Sequence, residues 1–323
     1  MKASLRRIAA GFRLPIDTGF SAAMVPCALL MLAYRRAGSQ RLTMTTRVLK
    51  KMGVFPIRDH YYDPLFQESK LRTPLSDERS LPGIDLNDAG QLEMLRQLDR
   101  ADELLALQWN RPVQSVEMFT VENGNFGSGD AEFLYQFLRS IKPAKVIEIG
   151  SGHSTKVTCK ARSKNEESGH PMEMVCIEPY EMEWLERLND VEVVRQTVET
   201  CEIPWEKALK AGDLLLIDSS HMIRPQGDVL HEYLNILPRL ASGVYVHIHD
   251  IFTPRDYPAA WLKEYVFLWN EQYLLETLLS NRERYEVVAA LNYLKHHHYD
   301  ALKRVCPYLT PDREPGSFYL RVR

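Results

Sequence analysis

Lys145–Thr155 reads KVIEIGSGHST, and this stretch decides the fold. Val146, Ile147 and Ile149 make a short apolar strand, and Gly150 and Gly152 follow in a tight turn. A strand ending in Gly-x-Gly lets a ligand approach the backbone closely, because glycine carries no Cβ, and the next helix presents unpaired N–H groups. The dinucleotide fingerprint requires a third glycine three residues after the second. Thr155 stands there, which weakens a nicotinamide reading. Glu148 adds a carboxylate two residues before Gly150, repelling a pyrophosphate and attracting an amino group. The guest is therefore read as zwitterionic. Glu178, in VCIEPY, ends the next apolar segment, where a carboxylate can accept hydrogen bonds from ribose hydroxyls.

Outward from this turn, helices alternate with short apolar runs from Asp130 onward, the pattern of a parallel sheet covered on both faces. DAEFLYQFLRSI is an amphipathic helix with Asp130 as its expected cap. Strands are expected at KVIEIG, EMVCIEP, VEVVRQ, DLLLIDSS, GVYVHIHD, YEVVAALNYL and GSFYLRVR. The expected fold is α/β: a doubly wound, seven-stranded, mostly parallel Rossmann-like sheet over residues 121–323. Residues 1–120 are expected to form a mainly helical or irregular appendage. In it, MTTRVLKKMGVF and QLEMLRQLDRADELLAL have helical spacing, whereas FPIRDHYYDPLF is bounded by prolines. The internal HHH at His296–His298 reads as a polar helix start or loop.

Of 323 residues, 45% are apolar and 26% charged, ordinary for a globular enzyme and wrong for a disordered or fibrous chain. The net charge of −3 hides an asymmetry. Met1–Lys51 carries ten Lys or Arg against Asp17, leaving about −12 on the remainder. That basic end either meets an anionic surface or is a solvated face, the commoner outcome for a charge run. FSAAMVPCALLMLAY, Phe20–Tyr34, is shorter than the ~20 residues a span requires and contains Pro26. It is read as a helix packed on the body of the protein, with membrane-surface attachment as the alternative. Cys27, Cys159, Cys176, Cys201 and Cys306 include no C-x-x-C pair, which argues against a zinc knuckle and fits a reducing cytoplasm. The acidic sheet region and the lack of a basic-aromatic strand motif argue against a nucleic-acid substrate.

VIEIGSGHST resembles the first motif, E-x-G-x-G, of the class I S-adenosylmethionine-dependent methyltransferases, and CIEP resembles their second-strand acid. The resemblance covers Asn123–Arg323. It implies that Glu148, Gly150, Ser151 and Gly152 line the methionine end of the cofactor and that Glu178 holds the ribose. RQTVE, Arg195–Glu199, would lie by the adenine, though it lacks the common Gly-Asp pair. ENGNFGSGDAEFLY resembles the loop and helix that precede the first strand in a bacterial small-molecule and sugar O-methyltransferase subgroup; Asn125 and Phe126 would then close over the cofactor.

Ligands in such sheets sit beyond the carboxyl ends of the strands, where LLLIDSSHM supplies Asp218 and His221 and VYVHIHDIF supplies His249 and Asp250. Methyl transfer to a hydroxyl requires an acceptor oxygen relieved of its proton. Two arrangements fit. Asp218 and Asp250, with a histidine, could hold Mg²⁺ or Mn²⁺, as in the similar catechol O-methyltransferase, although Ile251 stands where that enzyme has an Asn ligand. Alternatively His221 or His249 is the general base. His247, one step deeper, is expected to be scaffold. FPIRDHYYDP either lines an acceptor pocket or straps the appendage to the sheet. The expected acceptor is a small-molecule or glycan hydroxyl, with peripheral membrane contact through the basic segment and homo-oligomerisation left open. Competing readings are a nicotinamide-dependent oxidoreductase and a noncatalytic partner protein of the same fold.

Overall fold

The computed structural model describes residues 2–180, 182–188, 190–280 and 283–323. The chain divides after Arg72 into two compact units.

The first unit has two helices, α1 (Lys2–Ala37) and α2 (Thr43–Lys51), joined by a turn at Gly38, whose φ of 97° suits a residue without a Cβ. Tyr34 is buried at the end of α1 and its hydroxyl meets Thr46 Oγ1 at 2.5 Å. Arg35 donates two hydrogen bonds to Asp63, at 2.7 and 2.8 Å, and lies over the Phe55 ring; Arg58 Nε reaches the same carboxylate at 3.2 Å. The proline-bounded stretch is thus organised around Asp63, while the Tyr61 and Tyr62 rings lie against each other, tilted by 38°, and stay exposed. The expected burial of the apolar run is not found: Phe20, Leu29 and Leu30 are 64%, 62% and 71% exposed.

The second unit continues with α3 (Asp88–Gln97), α4 (Ala101–Leu107), α5 (Asp130–Ile141), β1 (Lys145–Ile149), α6 (His153–Glu167), β2 (Glu173–Ile177), β3 (Glu192–Val194) and α7 (Trp205–Ala208). Then come β4 (Leu214–Ile217), α8 (Asp228–His231), β5 (Tyr245–Ile248), α9 (Ala259–Lys263), α10 (Glu271–Leu279), β6 (Tyr285–Ala290), α11 (Leu291–His297), α12 (Tyr299–Val305) and β7 (Phe318–Val322). The seven strands form one sheet in the order β3-β2-β1-β4-β5-β7-β6. All neighbours are parallel except β7, which runs antiparallel between β5 and β6. This is the expected doubly wound sheet, with its switch point between β1 and β4.

β4 explains the layering. Its four residues are all apolar and fully buried, as a central strand covered on both faces requires. Leu214 and Leu216 join Phe133, Phe137 and Tyr319 on one face; Leu215 and Ile217 join Ile149, Ile248 and Phe318 on the other. Residues 73–120, expected in the appendage, fall in this unit. Asn87 Nδ2 donates to Val287 O at 2.9 Å, Gln91 Oε1 accepts from Ala290 N at 2.7 Å, and Leu95 and Leu104 enter the core.

Three local readings change. The helix expected through QLEMLRQLDRADELLAL is two, because buried Leu98 turns to extended backbone and Arg100 N bonds Gln136 instead of continuing the helix. The run YEVVAALNYL is strand only to Ala290, after which Leu291 opens α11. Asp130 is not the cap of α5: Gly129 N bonds Glu132 Oε2 at 2.7 Å, while Asp130 Oδ1 accepts from Gly316 N and Ser317 N at 3.0 and 2.7 Å. His296, His297 and His298 pair with Glu314, Glu78 and Asp88, a polar role, but His296 and His297 sit in the last turn of α11 and not at a helix start.

Since β4 is sealed on both faces, Leu215→Ala and Leu216→Ala should each destabilise the protein by about 2–5 kcal/mol. Urea titration followed by circular dichroism checks this; a cost confined to one of them would show that one face is not packed.

Candidate functional site

The site grows from the ends of β1 and β4. Asp218 N bonds Ile149 O at 2.8 Å and Gly150 N bonds Ile177 O at 3.0 Å, so three strand ends are stitched together just before they diverge. A Cβ on Gly150 would lie 1.8 Å from the carbonyl oxygen of Asp218, and the residue has a φ of 78°. Only glycine fits there.

Glu148 is fully buried and faces away from the cavity. Its carboxylate accepts from Ser154 Oγ and Thr155 Oγ1, both at 2.6 Å, and from Cys176 Sγ at 3.5 Å. Thr155 Oγ1 also accepts from Gly152 N at 2.9 Å, tying the glycine turn to the first turn of α6. Burial pushes the Glu148 carboxyl up to about 7. Glu148 therefore braces the turn from behind and is not among the residues that line the cavity in front of it.

Beyond the turn lies a cavity of about 440 Å³. Gly150, Ser151 and Gly152 form its floor, and Asn125, Phe126, Glu178, Thr197, Val198 and Glu199 also line it. Glu178 accepts from Ser151 N at 3.2 Å and Tyr180 N at 2.9 Å, which fixes its orientation. Of RQTVE, the last three residues line the cavity, while Arg195 turns to Glu186 at 2.7 Å and to the carbonyl of Glu178 at 2.9 Å. Sequence reading missed His153, Tyr180, Met182, Ser219, Ser220, Arg224 and Asp228 in the lining. His153, Tyr180, Ser219 and Ser220 stand inside stretches already singled out, next to the residues chosen there, and His153 and Asp228 open α6 and α8; Met182 and Arg224 come from loops with no motif. The lining's charge is lopsided: Glu178, Glu199, Asp218 and Asp228 face Arg224 and His153. Arg224 pairs with Asp228 at 3.7 Å, and burial pushes the His153 imidazole down to about 4, so it is neutral near pH 7.

At one edge of the cavity, Asp218 meets the histidines. His249 Nδ1 lies 3.2 Å from Asp218 Oδ1 and 3.5 Å from Asp250 Oδ1, and its Nε2 lies 4.0 Å from Asp130 Oδ2. His221 Nε2 lies 3.4 Å from both Asp218 and Asp250, with its Nδ1 on Glu271 Oε2 at 2.9 Å. Tyr233 donates to the other Glu271 oxygen at 3.1 Å. His221 and Asp250 both have left-handed backbones, with φ of 56° and 58°, so the loops are bent to aim these side chains. Ligating atoms of Asp218, His221 and Asp250 all lie within 4.8 Å of one another. Burial alone would lower both imidazoles, but the carboxylates facing them hold both well above the usual histidine range. Burial alone would raise Asp218, yet His249 and His221 hold it well below the carboxylate range. Asp250 goes the other way, raised by burial.

His247 is fully buried and stacks on Tyr319 with ring centroids 4.4 Å apart, a scaffold position. Phe126 covers His249 at 4.9 Å and Trp269 covers His221 at 4.5 Å. Trp261 and Phe267 continue the aromatic wall from Trp269, at 5.3 and 4.6 Å. Neither that wall nor Glu271 was marked in the sequence: the wall comes from short α9 and the irregular stretch after it, and Glu271 from the first turn of α10.

A family model described as a methyltransferase domain matches residues 147–251. An uncharacterized protein of Archaeoglobus fulgidus is 26% identical over 169 residues, 49% of this chain and 74% of that protein. Among solved structures, the chain is similar to the O-methyltransferase from Bacillus cereus in complex with SAH (14% identity, 72% of this chain and 91% of that one, TM-score 0.38). It is also similar to the O-methyltransferase TomG from Streptomyces achromogenes, involved in tomaymycin synthesis, in complex with SAM (14%, 71% and 89%, TM-score 0.37). The methyltransferase-domain match lies across β1 to β5, and the antiparallel β7 completes the seven-stranded sheet.

Two variants test the turn. Gly150→Ala should lower the melting temperature sharply, because backbone must move to admit the methyl group; an unchanged melting curve would contradict the close approach. Glu148, raised from 4.5 to about 7 on folding, supplies stability that is full below its unfolded value and lost as pH rises through 7. Glu148→Gln should therefore gain on the wild type between those pH values, by up to about 3 kcal/mol, in denaturant titrations.

Proposed function

We propose that this chain is a methyltransferase that uses S-adenosylmethionine to methylate a hydroxyl on a small molecule or glycan, at the cluster of Asp218, His221, His249 and Asp250. The observation that carries the reading is the double position of Asp218, which lines the cavity and also contacts both histidines. The donor and the acceptor oxygen would meet at that carboxylate.

The lining fits the donor. Four carboxylates against one paired arginine and a neutral histidine suit a guest with an ammonium and a sulfonium, and oppose a pyrophosphate. That charge pattern disfavours the nicotinamide alternative. The glycine floor admits the methionine end, and Glu178, fixed by two backbone donors, faces the place of the ribose. Thr197 and Val198 offer a mixed wall for the base. S-adenosylmethionine supplies an electrophilic methyl on a good leaving group; the chain supplies position and charge.

For activation, the donor set of Asp218, His221 and Asp250 suits a hard divalent cation such as Mg²⁺ or Mn²⁺, which as a Lewis acid would lower the acceptor pKa. Glu271 behind His221 Nδ1 is the carboxylate–histidine arrangement that orients a ligating imidazole. Without a metal, His249 is held protonated between Asp218 and Asp250 and balances their charge; the second reading, a general base that takes the acceptor proton, requires its neutral form and so an activity that rises with pH through its raised pKa. Trp269, Trp261 and Phe267 would hold a ring-shaped acceptor beside His221.

Calorimetric titration with S-adenosylhomocysteine should show micromolar binding, weakened roughly 10- to 100-fold in Glu178→Ala. No binding by the wild type would overturn the proposal. Methyl transfer to a panel of hydroxyl compounds, with and without EDTA, then separates the two activations. Loss with EDTA and recovery with Mg²⁺ or Mn²⁺ favours the metal set. Full activity in EDTA, lost in His249→Ala, favours the base.

A further inference from the structure

The exposed helix of the first unit is the largest feature the reaction leaves unused. Pro15–Ala37 runs 23 residues at a mean hydropathy of 1.6, with none of it buried in its most apolar window. Ile16, Phe20, Met24, Val25, Leu29 and Leu30 are all exposed. At 100° per residue they point to every side of the helix, so no single protein groove could cover them. A helix apolar all round is stable when its whole circumference is surrounded by apolar material. We propose that Pro15–Ala37 is a membrane anchor inserted into the bilayer, with anionic lipid headgroups as its partner at the ends.

Length, charge and attachment agree. At 1.5 Å per residue the helix is about 34 Å long, against a hydrocarbon core of ~30 Å. Its uncharged stretch lies between Asp17 and Arg35, with Lys2, Arg6, Arg7 and Arg13 before Asp17 and Arg36, Arg41, Arg47, Lys50 and Lys51 after Arg35. Basic residues crowding the ends of an apolar helix match the negative surface of a bilayer. α2 repeats the theme on a smaller scale: Met44, Val48 and Met52, one turn apart, form an exposed apolar stripe beside exposed Arg47, Lys50 and Lys51. That is the composition of a helix lying at the lipid surface. The last turn of α1 is fastened to folded residues through Tyr34–Thr46 and Arg35–Asp63. A leader destined for removal needs no such attachment.

The test is flotation of the full chain with vesicles of phosphatidylcholine, alone and with phosphatidylglycerol. The wild type should float with both, more with the anionic ones, and stay bound through a carbonate wash. Leu29→Asp/Leu30→Asp should lose at least about 10-fold of the bound fraction while its S-adenosylhomocysteine titration and melting curve stay unchanged. Absence of flotation would overturn the proposal, as would binding that high salt removes and the double variant retains. A lipid-free dimer by light scattering that the double variant dissolves would assign the helix to a second copy instead. A membrane-extracted chain beginning after residue 37 would show a cleaved leader and equally overturn it.

Discussion

The contact on which the site depends is the approach of Gly150 to the carbonyl of Asp218. Strand ends in a parallel sheet are normally kept apart by side chains. Here β1 and β4 stay in register to their last residues, and the turn after β1 passes over the first residue after β4 without a Cβ between them. The floor of the cavity and the carboxylate at its edge are therefore one construction. Glu148 braces it from below through two hydroxyls of α6, so the carboxylate that the motif advertises works as masonry behind the wall.

Around Asp218 the protein concentrates charge in a dry place. Asp130, Asp218, Asp250 and Glu271 surround two buried imidazoles, and Glu232, raised well above its usual range by burial and by Glu271, sits just behind. Buried ions cost several kcal/mol each unless paired, so such a cluster is a poor source of stability. Its value is geometric: each histidine is held from both nitrogens, and its orientation follows from which carboxylate each nitrogen meets. The loops that deliver His221 and Asp250 accept left-handed backbones to do so, a strain that the sealed sheet below is rigid enough to bear.

Much of this was legible in the chain. All seven strands announce themselves by apolar runs, and Gly150 and Gly152 by the turn they must make. Glu178 is readable as a strand-end acid, and Asp218, His221, His249 and Asp250 could be placed together because strand ends in this topology converge. The direction of the Glu148 side chain was not legible, since it depends on Ser154 and Thr155 one helical turn away. Glu271 and the aromatic wall were hidden for a different reason: the wall is delivered by residues 258–270 and Glu271 by the helix start that follows, and the path into both is set by packing and not by a period. The fold boundary shifted because α3 and α4 carry core residues at spacings that read equally well as an independent appendage.

The place of β7 has a consequence for how the chain is made. β5 ends at Ile248, yet one of its two neighbours begins only at Phe318. During synthesis, β5 is out of the ribosome while its outer edge has nothing to pair with, and His247 lacks the Tyr319 ring that later covers it. Asp130 waits likewise for Gly316 and Ser317. An open edge of this kind invites wrong partners. The nascent chain therefore completes its reactive corner last, and until then the outer edge of β5 is the one a chaperone would find.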